Sequence, residues 1–142
     1  MSDRFDLDRF VRAQAPVYAQ VCEELRRGKK TSHWMWFVFP QIAGLGRSAM
    51  AQRFAISSLE EAQAYLAHPL LGPRLIECAQ LVCAVTGRTI REILGSPDDL
   101  KFHSCMTLFV HAALDGNVFE QALKKYFGGK QDPATLHICG MT

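Results

Sequence analysis

"LGPRLIECAQLVCAVT", residues 71–86, is the stretch whose reading decides the fold. Its strongly polar side chains are Arg74, Glu77 and Gln80, three residues apart, which sets them along one narrow stripe of a helix and leaves the rest of the surface apolar. A second segment, "PDDLKFHSCMTLFVHAAL" at 97–114, repeats the design with Lys101, Ser104, Thr107 and His111 roughly on one side. Helices this apolar belong at the centre of a domain, nearly surrounded by others. A polar stripe on such a helix either reaches solvent along a groove or lines a pocket.

Working outward, helix punctuation recurs along the chain. Val17, Tyr18, Val21, Cys22 and Leu25 share one face of a segment that Gly28 closes. Ser58 with Glu61, Thr89 with Glu92 and Asn117 with Glu120 have capping-box spacing. Ser96-Pro97 and Asp132-Pro133 each pair an N-cap residue with proline at the first helical position. Gly87, Gly95 and Gly128 stand where left-handed stops are expected. Helices are therefore expected near 6–14, 17–27, 48–56, 59–67, 71–86, 90–94, 97–114, 118–127 and 133–138. Period-two alternation is convincing nowhere. "WMWFVF" at 34–39 could be a strand, or a short helix ending before Pro40. The expectation is an all-α single domain over 1–142, with seven to nine helices of which two are central.

Composition agrees with one folded domain. The 142 residues are about half apolar and a fifth charged, with a net charge of +2, so any electrostatic argument must be local. No stretch approaches the roughly 20 apolar residues that cross a bilayer, and the charged N-terminus has no signal-peptide core. Five scattered cysteines without a CxxC pair have the pattern of reduced thiols, and a cytoplasmic location is expected.

Candidate chemistry concentrates in "RRGKKTSHWMWFVFPQIAGLG", residues 26–46, where cations abut an aromatic run. Lysines after a helix ending at Gly28 suit the negative end of its dipole. Alternatively Lys29 or Lys30 with His33 forms an anion subsite, and Trp34 or Trp36 supplies an aromatic wall. Two-residue spacing points the tryptophans in different directions, so at least one is expected in the core. "GLGRSAM" resembles a glycine-rich turn feeding a helix N-terminus at Ser48, but it lacks the Walker and dinucleotide spacings. Arg74 can pair with Glu77 or hold a carboxylate or phosphate in its planar fork. Lys101 and Ser104, one turn apart on an apolar helix, must pair, snorkel or serve a ligand. Asp98 and Asp99 complement the helix dipole. His103 and His111 lie roughly 12 Å apart along a helix, too far for one metal, and no metal-ligand or cofactor motif is visible.

The strings "GKKTSHWMWFVFPQIAGLGRS", "EAQAYLAHPLLGPRL" and "LGSPDDLKFHSCMTLF" resemble the bacterial domain-of-unknown-function family 1810, from Phe10 to about Leu136. Its members often carry the label calpastatin. Calpain-inhibiting segments are disordered and polar, whereas this chain is apolar enough to fold alone. The resemblance implies a small all-helical cytosolic domain and supplies no function. The residues themselves suggest a pocket for a small anionic ligand, such as a nucleotide or other phosphorylated compound. Lys30, His33, Arg74 and Lys101 would hold charge, Gln41, Ser48 and Ser104 would hydrogen-bond, and Trp34 or Trp36 would stack. If the protein is an enzyme, His33 is the acid–base candidate and Lys101 the charge stabiliser. A protein-interaction module built on the tryptophan-rich segment is the alternative. A third outcome is that the polar stripes satisfy each other, with Glu77 or Asp98 as counter-charge. Membrane and nucleic-acid partners are not expected.

Overall fold

The computed structural model describes residues 3–114 and 117–141, with the side chain of Asn117 outside the described set. Its helices are α1 (Asp8–Gln14), α2 (Tyr18–Arg26), α3 (Met35–Val38), α4 (Ala49–Arg53), α5 (Leu59–Ala67), α6 (Leu71–Ala84), α7 (Ile90–Leu94), α8 (Asp98–Ala112), α9 (Asn117–Phe127) and α10 (Pro133–Ile138). There is no strand among the described residues; an isolated parallel bridge joins Ile42 to Ile56. The fold is all-α. "WMWFVF" supplies the additional short helix, α3, and among the described residues no helix is long and apolar enough to cross a membrane.

Most of the punctuation acts as its chemistry dictates. The Thr89–Glu92 capping box is complete, with both reciprocal bonds present. Ser58 accepts from the Glu61 amide, but the Glu61 carboxylate reaches one residue further back, to the Ser57 amide and hydroxyl. Asp132 caps α10, with Pro133 in its first turn. The expected Asn117 cap lies outside the described residues. Gly28, Gly87, Gly95 and Gly128 all have positive φ. The Ser96 cap is corrected: α8 begins at Asp98 after Pro97, and its first amides are taken by the carbonyls of Gly95 and Pro97. Residues 54–56 also leave the helix expected over 48–56. The Ile56 amide donates to the Gln41 carbonyl at 2.8 Å and the Ala43 amide to the Ile56 carbonyl at 2.8 Å, so a long-range pairing takes the backbone groups that helix propagation needs.

Helix α8 is the centre, packing against α5, α7, α9 and α10. Phe102, Cys105, Met106, Leu108 and Phe109 are all buried. Helix α6 buries Leu71, Gly72, Leu75, Cys78, Ala79 and Val82 among α2, α5 and α9, while Glu77 and Gln80 reach solvent. Two chains of aromatic contacts run through α8. Phe54, Phe10, Tyr65, Phe109 and Phe119 touch in succession at centroid distances of 5.1–5.9 Å. Trp34, Phe39, Phe102 and Phe127 form the second, with Phe39 edge-on to Phe102 at 5.0 Å. Each such pair adds about 0.5–1.5 kcal/mol beyond its buried area. The second chain brings α3 onto α8 and so sets the tryptophan-rich segment beside Lys101.

Candidate functional site

The cationic loop after α2 is organised by a buried carboxylate. Glu24 is fully buried on α2. Its Oε1 accepts from the amides of Thr31 (2.7 Å) and Ser32 (3.0 Å) and from the Trp34 indole (3.0 Å). Its Oε2 accepts from the Ser32 hydroxyl at 2.6 Å and the Gln20 amide at 2.9 Å. Burial pushes the Glu24 carboxyl up, but these donors outweigh it and hold the group well below the usual carboxylate range. Trp34 is thereby fixed in the core, 1% exposed.

The lysines meet the aromatic run through a shared counter-charge. Lys30 Nζ lies 2.9 Å from Asp98 Oδ2, donates to the Ser32 carbonyl at 2.6 Å and sits 5.0 Å from the Trp34 ring centroid. Lys101 Nζ reaches the other oxygen, Asp98 Oδ1, at 3.5 Å and sits 5.4 Å from the Trp36 centroid. The Lys30 side chain is 8% exposed and that of Lys101 26%. Two cations therefore share one carboxylate, and the better buried and closer of them is Lys30.

Lys101 and Trp36 border a cavity of about 160 Å³. Met35, Trp36 and Phe39 contribute one wall; Gln41, Gly44 and Gly46 come from the following loop, and Gln52 and Phe54 from α4 and its end. The Ile42–Ile56 pairing fixes both rims of that loop. Gly46 is required for its close approach to α4, since a Cβ there would stand 2.5 Å from Ala51 Cβ. Gln52 Nε2 donates to the Arg47 carbonyl at 3.0 Å, leaving its Oε1 as an acceptor.

Of the residues selected from sequence, Trp36, Gln41 and Lys101 line this cavity, and Lys30 joins them through Asp98. The others lie elsewhere. His33 is exposed and outside the cavity lining. Ser48 is the exposed N-cap of α4 and accepts from the Ala51 amide at 3.1 Å. Arg74 stacks on Tyr18, 4.6 Å from its centroid, and donates to Gln14 Oε1 at 3.3 Å. The expected partner of Arg74, Glu77, instead accepts a short bond from the Tyr18 hydroxyl. Ser104 donates to Asp132 Oδ2 at 3.0 Å, and neighbouring Thr107 accepts from the Asp132 amide at 2.9 Å; both dock the cap of α10 onto α8. Thus Ser104 and Arg74 sit in separate polar contacts. Met35, Gln52 and Phe54 were not singled out in the sequence, where nothing distinguishes them from ordinary core and surface residues.

A wider groove of about 890 Å³ between α5, α6 and α9 contains none of the selected residues, and no charged side chain lines it among the described residues. No group of three or more His, Cys, Asp or Glu able to hold a metal ion occurs among the described residues, and the five cysteines are free.

The family model described as "Protein of unknown function (DUF1810)" matches residues 4–139. Among solved structures, the chain is similar to the conserved hypothetical protein Rv1873 from Mycobacterium tuberculosis, with 60% identity and a TM-score of 0.96, over 99% of this chain and 100% of that one. No curated protein matches it.

Proposed function

The chain belongs to the DUF1810 family, whose description carries no activity, and from the site alone we propose that the Trp36–Lys101 cavity binds the anionic end of a small ligand. The observation that carries this reading is the sharing of Asp98 by two lysines. Lys30, closer and more deeply buried, answers the single negative charge. Lys101 is left with the longer contact of 3.5 Å and with the cavity beside it. An ammonium on an aromatic face, half-shielded from water and incompletely neutralised, gains by meeting an anion. Carboxylates and phosphorylated compounds both offer such an end. A cavity of this size admits that end and one flat group of a nucleotide, with the remainder outside.

Binding is favoured over catalysis because His33, the acid–base candidate, is not among the residues lining the cavity. The interaction-module alternative has less to stand on, since Trp34 is buried and Trp36 is half-buried at the cavity. The test is a thermal-shift titration with inorganic phosphate, acetate, benzoate and AMP on wild type and Lys101→Met. An anion at about 100 times its dissociation constant stabilises the fold by ~2.7 kcal/mol, a shift of several degrees for a domain of this length. Lys101→Met should abolish that shift while lowering stability by no more than about 1 kcal/mol, because its ion pair is partly exposed. No shift with any anion, or an equal shift in the variant, overturns the reading.

A further inference from the structure

The charge, volume and walls of the cavity specify more than the sign of its ligand. We propose that the ligand is a single-ring aromatic monocarboxylate, with its ring against Trp36 and its carboxylate at Lys101. This rests on the anion-binding reading above and narrows it.

Charge comes first. Among the described residues lining the cavity, Lys101 is the one ionisable group. With Lys30 and Asp98 it forms a cluster of two positive charges and one negative, and Lys30 is further committed to the Ser32 carbonyl and the Trp34 face. The surplus is one unit, which a carboxylate matches. A phosphate monoester carries close to two charges at neutral pH and would bring a second one into a half-buried site without a cation to meet it.

Volume comes second. The cavity measures about 160 Å³, close to the ~150 Å³ of an engineered apolar cavity that holds benzene, and well below the roughly 300–1,000 Å³ of pockets for larger ligands. One six-membered ring with a small substituent fills it. A nucleoside exceeds this volume and would lie partly outside it.

The walls come third. Trp36 is the half-buried aromatic side chain of the lining, with Met35, Phe39 and Phe54 packed behind it and at most 2% exposed. An aromatic surface of this kind favours an offset or edge-on ring. A bare inorganic anion would leave the Trp36 ring uncovered. Two neutral amides interrupt the apolar lining: Gln41 can donate to a ring nitrogen or accept from a hydroxyl, and the Gln52 Oε1 can accept from a hydroxyl. Pyridinecarboxylates and hydroxybenzoates combine all of these features.

The experiment is calorimetric titration of the full chain with nicotinate and 4-hydroxybenzoate. Nicotinamide, which has the ring without the charge, cyclohexanecarboxylate, which has the charge without the aromatic ring, inorganic phosphate and AMP are titrated in parallel. Nicotinate or 4-hydroxybenzoate should bind at least tenfold more tightly than the four comparison compounds. Lys101→Met and, separately, Trp36→Leu should each weaken that binding at least tenfold, with helical circular dichroism retained. Saturable binding of phosphate or AMP, lost in Lys101→Met, while the aromatic acids fail to bind, overturns the ligand class and leaves the anion site standing. Equal affinity for nicotinamide or cyclohexanecarboxylate also overturns the class. If none of the six compounds binds the wild-type chain, the class and the anion site fall together. Aromatic acids that bind Lys101→Met as well as wild type place their site elsewhere and overturn both.

Discussion

Glu24 accounts for the arrangement of lysines beside tryptophans. A helix that ends at Gly28 would normally leave its trailing cations in solvent, yet the loop folds back so that Thr31, Ser32 and Trp34 all donate to one carboxylate. That return carries Lys30 to Asp98 and leaves Lys101 the surplus cation. Glu24→Gln removes the charge and turns one acceptor into a donor facing donors. We expect a loss of about 3 kcal/mol in urea unfolding at pH 7. The pH dependence has a definite sign. The Glu24 carboxyl lies lower in the folded chain than its ordinary value, so its contribution is complete above the unfolded value of about 4.3 and fades as pH falls through the lower folded one. The stability gap between wild type and Glu24→Gln should therefore be constant from pH 8 to 6 and narrow below about pH 4. A gap that stays fixed to pH 3 would show that charge plays no part.

Between helices, glycine has two separate uses in this fold, and substitution tells them apart. Gly72 lies in the first turn of α6 against the end of α5, where a Cβ would meet the Leu66 carbonyl oxygen at 2.1 Å. Backbone cannot move aside as a side-chain tip can. Gly72→Ala should cost about 3 kcal/mol or more. Gly87 follows α6 at φ +73, with no atom within 4 Å of an added Cβ. Its substitution by alanine carries only the conformational penalty, about 1 kcal/mol. Denaturant midpoints of the two variants decide whether close packing or backbone conformation dominates at each site. The α5–α6 junction has a further tie, since His68 Nδ1 accepts from the amides of Leu70 and Leu71 at 3.1 and 3.2 Å.

Across the whole molecule, stability should be graded from α8 outward. Helix α8 is enclosed by four others, whereas α4 has no buried residue and forms one side of the cavity. Amide hydrogen exchange should be slowest in the middle of α8 and fast in α4, with protection rising over residues 41–55 when a ligand occupies the cavity. Uniform exchange across the two helices would contradict that gradient. The sequence by itself determined the local plan. The apolar runs at 71–86 and 97–114, the Thr89 and Asp132 caps and the glycine stops each depend on neighbours within one or two turns, and backbone sterics and hydrogen bonding act at that range. It also supplied Trp36, Gln41 and Lys101 as candidates. Only the tertiary structure decided how they combine. The Ile42–Ile56 pairing and the Lys30–Asp98 contact join residues far apart in the chain, the 27–34 loop turns back onto Glu24 outside any regular element, and no periodicity records such contacts. The same long-range geometry took Ser104 to the α10 cap and Arg74 to Tyr18. A polar stripe on an apolar helix states that partners are needed, and the packing of other helices selects them.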